Sequence, residues 1–120
     1  METGLMLRTA VLLLAITAGG GLLMASMRFT GRPHPPDWLA MLHGLLAASG
    51  LTLVLYAAFT AGLPGNAWLG LVAMAAAAVG GLILNLGYHT KRAVLPVWLV
   101  LVHAAVAAIG LAVFAIAVWR

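Results

Sequence analysis

The chain has 120 residues, of which 65% are hydrophobic and 7% are charged, and its formal net charge is +4. A soluble domain carries about 25% charged residues, so this composition excludes a water-soluble globule and indicates a membrane protein. The basic residues lie in predicted loops and at the chain ends, which excludes a nucleic-acid-binding patch and favours contact with membrane lipid. The chain has no cysteine, which excludes disulfides, thiolate-bound metals and cofactors attached through paired cysteines.

Four apolar stretches follow one another, and each is long enough to cross a bilayer. We predict helices over about residues 9–27, 37–61, 67–87 and 94–119. A loop rich in proline and charge separates the first two helices, and a second basic loop separates the last two. Between the middle two lies an uncharged Gly-Pro turn. All four tryptophans fall at predicted helix ends, as in the aromatic belts of membrane proteins.

The chain repeats itself after sixty residues without a gap. The stretch PDWLAMLH, which begins at Pro36, returns as PVWLVLVH, which begins at Pro96. The match extends upstream to the Gly-Gly-Leu triplets at 20–22 and 80–82, so we expect the first apolar run to be part of the fold and not a removed signal peptide. We predict a single all-α domain of two tandem two-helix units, 1–60 and 61–120. Because both hairpins enter the membrane from the same side, a pseudo-two-fold axis should run along the membrane normal.

The basic residues also predict an orientation. The loops after the first and third helices hold four of the six basic residues, and the opposite side holds Arg8 and Arg120. By the positive-inside rule, both basic loops should face the cytoplasm and both termini the periplasm of a bacterial-type inner membrane. The four loop residues are Arg28, Arg32, Lys91 and Arg92.

Each unit carries one histidine inside its second predicted span, about two helical turns from the basic loop. These residues, His43 and His103, are separated by the repeat length and should lie at equal depth. Ionisable side chains inside a membrane are functional candidates. If the bundle axis runs between the two helices, the imidazoles face each other, and two imidazoles with a planar group between them ligate a haem iron. Zinc would need three or four ligands, and no acid or sulfur ligand lies at this depth.

Three further features fit a haem at this depth. Small residues lie on the same helix face as each histidine, and glycines on the neighbouring helices lie at the same level, which leaves room for a macrocycle. The basic loops supply cations for the haem propionates at one end only. The predicted contact residues are Ala47, Gly50, Ala107 and Gly110, then Gly20, Gly21, Gly80 and Gly81, and finally Arg28, Arg32, Lys91 and Arg92.

This layout resembles the small four-helix membrane b-type cytochromes that anchor or serve respiratory and redox enzymes. The resemblance covers the whole chain and is architectural, without a signature motif. It implies one haem b, because the chain has a single deep histidine pair, with His43 and His103 as axial ligands of the iron. It also implies electron transfer as a subunit of a larger redox complex, with partner redox subunits or a membrane quinone on each side, and no enzymatic reaction by this chain alone.

Two other classes of function stay open. Duplication alone would place two matched histidines that each bond a neighbouring carbonyl, as in a cofactor-free accessory subunit that stabilises a membrane complex. A small transporter is the third hypothesis, although the membrane-embedded glutamate of small multidrug transporters is missing, since the acids Glu2 and Asp37 lie at the edges. His34 and His89 are expected in interfacial loops without a ligand role.

Overall fold

Four long helices make up the chain. The computed structural model describes residues 2–120 and contains no strand in that range. A π-helical turn continues α3, and such turns hold one more residue per hydrogen-bonded ring than an α-helix does. The elements are α1 over Thr3–Phe29, α2 over Asp37–Thr60, α3 over Ala67–Leu84 with its π turn over Asn85–His89, and α4 over Val97–Trp119.

All four helices are long and apolar enough to cross a membrane, with α3 counted through its π turn. They contain 27, 24, 23 and 23 residues, against the roughly 20 that a bilayer crossing requires. Large apolar side chains such as Leu22, Phe59 and Ile109 lie exposed on the outside of the bundle, where lipid would surround them. The predicted all-α architecture with four membrane-spanning helices is therefore confirmed, and the chain is a multi-pass membrane protein.

Two helices begin at positions other than the predicted ones. Helix α1 begins at Thr3, about six residues earlier than the apolar run, because hydropathy marks the apolar stretch and not the helical backbone around it. Within this added turn, the Arg8 guanidinium lies 5.7 Å above the ring of Trp119, so the charge is held over an aromatic face. Helix α4 begins at Val97, about three residues late, because Pro96 disfavours helical geometry in the residue before it.

The helices pack as two hairpins. Helix α1 packs along α2, α3 packs along α4, and α1 also contacts α4. The remaining neighbours, α2 and α3, contact each other sparsely, which leaves a gap between them on one side of the bundle. The bundle measures 43 × 22 × 19 Å, so its long dimension exceeds the hydrocarbon core of about 30 Å.

An apolar core fills the end of the bundle that contains the chain termini. All four helices contribute to it, and the side chains of Val54 and Phe114 are fully buried. Helices α3 and α4 approach closely here because Gly70 has no side chain; a Cβ at this position would lie 2.8 Å from the carbonyl oxygen of Gly110. The other buried members are Met6, Leu7, Ala10, Val11, Leu14, Ala57, Ala67, Leu71 and Met74.

Polar contacts join the two basic loops at the opposite end. The Nε of Arg28 donates to the carbonyl oxygen of Leu95 at 2.8 Å, and the Leu95 amide donates to the carbonyl of Pro33 at 3.1 Å. Both terminal nitrogens of Arg92 donate to the carboxylate of Asp37, each at 2.7 Å. This hydrogen bonding raises the pKa of Arg92 above its ordinary value, so the pair stays ionised. The first turn of α2 is thereby fastened to the loop before α4.

The sixty-residue offset recurs in the burial of the helices. From residue 10 to residue 28, each position has the same burial class as the position sixty residues later, from 70 to 88. The next pair interrupts the correspondence, because Phe29 is exposed and His89 is buried. Equivalent positions of α1 and α3 therefore face similar surroundings, while the pseudo-two-fold axis itself stays a prediction.

Candidate functional site

The two deep histidines each bond a backbone carbonyl on the neighbouring helix of their own hairpin. The Nδ1 of His43 on α2 lies 2.9 Å from the carbonyl oxygen of Thr17 on α1, and the Nδ1 of His103 on α4 lies 2.7 Å from that of Ala77 on α3. A carbonyl oxygen only accepts, so each Nδ1 carries the proton and donates it. The lone pair of each neutral ring is then on Nε2, the nitrogen that is free to bind a metal.

Glycine makes these two contacts geometrically feasible. Gly21 and Gly81 stand one helical turn after the accepting carbonyls, on the helix face over which each imidazole must reach. A Cβ at position 21 would lie 2.9 Å from Cε1 of His43, and one at position 81 would lie 3.1 Å from Cε1 of His103. Both distances are shorter than ordinary van der Waals contact, so any side chain here would displace the ring.

The two imidazoles lie close enough to share one ligand. Their ring centroids are 6.2 Å apart and their planes make an angle of 69°. An ion that binds one nitrogen of each ring, at the usual metal–imidazole distance of about 2 Å, would hold the ring centres roughly 6 Å apart. No other protein group among residues 2–120 forms a hydrogen bond with Nε2 of His43 or His103. The separation therefore fits a single metal centre between the rings.

The donor set distinguishes between kinds of metal. In the described part of the chain, no three His, Cys, Asp or Glu side chains are placed to share a metal ion. Two imidazoles alone do not make a protein zinc site, which takes three or four ligands. A haem iron receives its other four nitrogens from the macrocycle and needs only two from the protein, so two imidazoles fit a haem.

A cavity of about 590 Å³ adjoins the histidine pair. Its volume falls within the range of roughly 300–1,000 Å³ that is typical of cofactor and ligand sites. The walls come mainly from α2 and α3, the pair of helices that pack sparsely, and small residues such as Gly44, Ala48 and Ala78 keep the space open. The cavity is thus a property of how the hairpins meet, since full packing of α2 against α3 would remove it.

The structure places the predicted small residues in three different surroundings. Gly21, Gly81 and Ala47 line the cavity, whereas the cavity wall does not include Gly20, Gly80 or Ala107. Position 20 is open, and a Cβ at position 80 would make only ordinary contacts with His103. Gly50 and Gly110 lie in helix contacts instead, where a Cβ would come within 3.0 Å of Leu14 and of Met74, respectively.

Of the four cations predicted to lie near a propionate, the structure brings one to the cavity. Arg28 lines it, held by its bond to the Leu95 carbonyl. Arg92 is engaged with Asp37 and, like Arg32, lines a separate shallow pocket at the loop surface. Lys91 is exposed on the second basic loop.

His89 is the site residue that sequence reasoning missed. It was expected in an interfacial loop, but the π turn extends α3 through it, and its side chain is buried against the cavity. Its Nε2 donates to the Asp37 carboxylate at 2.9 Å, and its ring lies 6.0 Å from that of His34. The sequence feature that could have pointed to His89 is Asp37. It is one of only two acidic residues in the chain, and it lies at the same end of the bundle as both loop histidines.

Comparisons with protein-family models, with curated proteins and with solved structures found no match to this chain.

Proposed function

We propose that the protein binds one haem b between His43 and His103 and carries electrons within a membrane. One observation carries the proposal: two Nε2 atoms that have no hydrogen-bond partner among residues 2–120, on rings 6.2 Å apart, beside a cavity of about 590 Å³. Both rings are oriented by their bonds to backbone carbonyls, as is usual for metal-binding histidines. Haem would supply a centre that takes up and releases one electron.

The residues of the chain would hold and tune this centre. The Nδ1–H bonds to Thr17 and Ala77 fix the ring orientations and increase the basicity of each Nε2. Most of the cavity wall is apolar, and the polarity around a haem affects its redox potential. Because His43 and His103 would both be engaged in holding the haem, the chemistry it would supply is transfer of an electron, without catalysis by this chain alone.

The electron donor and acceptor must be other molecules, because most of this chain lies within the four helices. We place the protein in a bacterial-type inner membrane, as a subunit of a larger redox or respiratory complex or as a partner of a membrane quinone. The charge bias supports cytoplasmic basic loops and periplasmic termini. Thr30→Cys and Thr90→Cys, labelled with an impermeant thiol reagent, should both react only from the cytoplasmic side; labelling from the periplasm would invert the orientation.

An absorption spectrum of the purified protein tests the haem proposal. The reduced-minus-oxidised spectrum should show the sharp α band of a low-spin b-type haem, and the His43→Ala/His103→Ala double variant should lack it. A wild-type protein that is folded and free of haem would contradict the proposal, as would a double variant that keeps the low-spin band. The alternative is then a cofactor-free accessory subunit, for which the two carbonyl bonds would satisfy the histidines without any ligand.

A further inference from the structure

The end of the cavity nearest the basic loops is polar. Apart from His43 and His103, the charged or hydrogen-bonding side chains that line the cavity are Arg28, Asn85 and His89. They come from the last turn of α1 and from the π turn that follows α3. A molecule with an apolar body and polar groups at one side would match this distribution.

His89 is the buried member of this set, and half of its hydrogen-bonding capacity is unused. The residue is 6% exposed, and its Nδ1 is buried without a hydrogen-bond partner in the described part of the chain. Buried polar atoms in folded proteins nearly always have a partner, so an unpaired one indicates a missing group. Because the His89 side chain lines the cavity, a molecule bound there can supply that group.

The surroundings of His89 favour an acidic group. Its Nε2–H donates to Asp37, and the two terminal nitrogens of Arg92 hold the same carboxylate in place. With Nε2 engaged by Asp37, Nδ1 is the ring atom left to meet a bound molecule, and a carboxyl group there forms a hydrogen bond with it whether the shared proton lies on the nitrogen or on the oxygen. Arg28, positioned by its bond to Leu95, adds a permanent positive charge to the cavity wall.

We infer that His89, together with Arg28 and Asn85, binds a carboxylate of the molecule that occupies the cavity. The inference rests on the proposed function, in which that carboxylate is a haem propionate. The depth is suitable: Asp37 precedes His43 by six residues, which is about 9 Å along α2, so the Asp37–His89 pair would lie near the edge of a haem held by His43 and His103. His89 takes the role that sequence reasoning had given to Lys91, Arg32 and Arg92.

The test compares haem b with its dimethyl ester, in which both propionates are neutral. Titrated into the 120-residue apoprotein in detergent, haem b should bind the wild type at least about tenfold more tightly than the diester, because charge-assisted hydrogen bonds to the carboxylate are lost on esterification. His89→Phe, which copies Phe29 of the other half, should weaken haem b binding by about tenfold and leave diester binding unchanged. His34→Phe is the matched control, since it removes the neighbouring imidazole at a residue outside the cavity wall, and it should alter neither affinity.

The outcomes separate the two proposals. Equal wild-type affinity for haem b and the diester, or an equal loss of both in His89→Phe, would overturn the inference while the low-spin spectrum still supports the cytochrome. Absence of a low-spin spectrum with either porphyrin would overturn the proposed function. If His89→Phe does not fold, the comparison of the two porphyrins on the wild-type protein decides alone.

Discussion

The two sixty-residue halves agree along α1 and α3 and differ where these helices reach the basic loops. Burial classes match position by position between 10–28 and 70–88, and the histidine–carbonyl bond of one half recurs in the other at the same offset. The next pair departs: Phe29 is 51% exposed, whereas His89 is 6% exposed. The matched helices supply the carbonyl oxygens that orient the two histidines, and the unmatched pair makes only one end of the cavity polar.

The backbone geometry of α3 and two sequence differences, His89 in place of Phe29 and Asp37 in place of Val97, produce the difference. Helix α1 stays α-helical to Phe29, but α3 changes to a π turn at Asn85. The added residue in a π turn rotates the positions after it around the helix, which brings His89 inward. Its partner Asp37 has Val97 as its counterpart in the other half, so the equivalent contact there would be apolar. A few differences between two repeated halves are therefore enough to make one end of the cavity polar.

The largest expected effect follows from the matched histidines. His43→Ala and His103→Ala should each abolish the low-spin spectrum, because a single remaining imidazole cannot complete six-coordination of the iron. The matched control is His34→Ala, which should keep the band position and intensity. If only one of the two alanine variants loses the low-spin band, the halves are not equivalent in ligation and the bis-histidine proposal is wrong.

The second largest effect is expected at Gly21 and Gly81, the glycines that the two histidine rings contact. Gly21→Leu and Gly81→Leu should each lower haem affinity by about tenfold or more, because the new side chain displaces the ligating imidazole. With alanine at either position, the loss should be larger at 21, where the Cβ would approach the ring to 2.9 Å, than at 81, where it would approach to 3.1 Å. Gly19→Val is the control, since position 19 is open and the other half has Val79 there. Haem titration by absorbance measures all five variants.

A smaller effect is expected from a change in helix packing near the chain termini, which should lower stability without altering the histidine pair. Gly70→Ala should destabilise the bundle by about 1–3 kcal/mol, because its Cβ would meet the backbone of α4, which cannot shift as a side chain can. The equivalent position in the first half already holds Ala10, which is fully buried. Thermal unfolding in detergent should show a lower midpoint for Gly70→Ala, with the wavelength of the α band unchanged. An unchanged midpoint would mean that α3 and α4 do not approach each other this closely at Gly70.

The smallest effect on stability is expected at Asp37, an exposed residue at which the two halves differ. Asp37→Val copies the residue of the second half and removes the partner of both Arg92 and His89. Because the Asp37 side chain is largely exposed, solvent and salt weaken the pair, so the unfolding midpoint should fall by a few degrees at most. The difference from wild type should shrink further at high salt, and a large salt-independent loss would show that the pair is buried in the membrane-embedded protein.

The sequence by itself determined the number of spans, the all-helical class and the depth of the histidines. Span number follows from hydropathy, which depends on local composition, and depth follows from the fixed rise per residue of a helix. His43 and His103 follow Pro36 and Pro96 at the same spacing, so any two parallel hairpins would set them level. That they ligate a haem remains a proposal.

Only the tertiary structure decided which residues face the cavity. Helices that are apolar all round carry no amphipathic face, so the sequence does not state how each one is rotated or which pair leaves a gap. Hence Gly20 and Gly21 were equivalent in the sequence, yet only Gly21 meets a histidine ring. The inward turn of His89 depends on a local π distortion and on an ion-paired acid 52 positions away, a contact that no local pattern encodes.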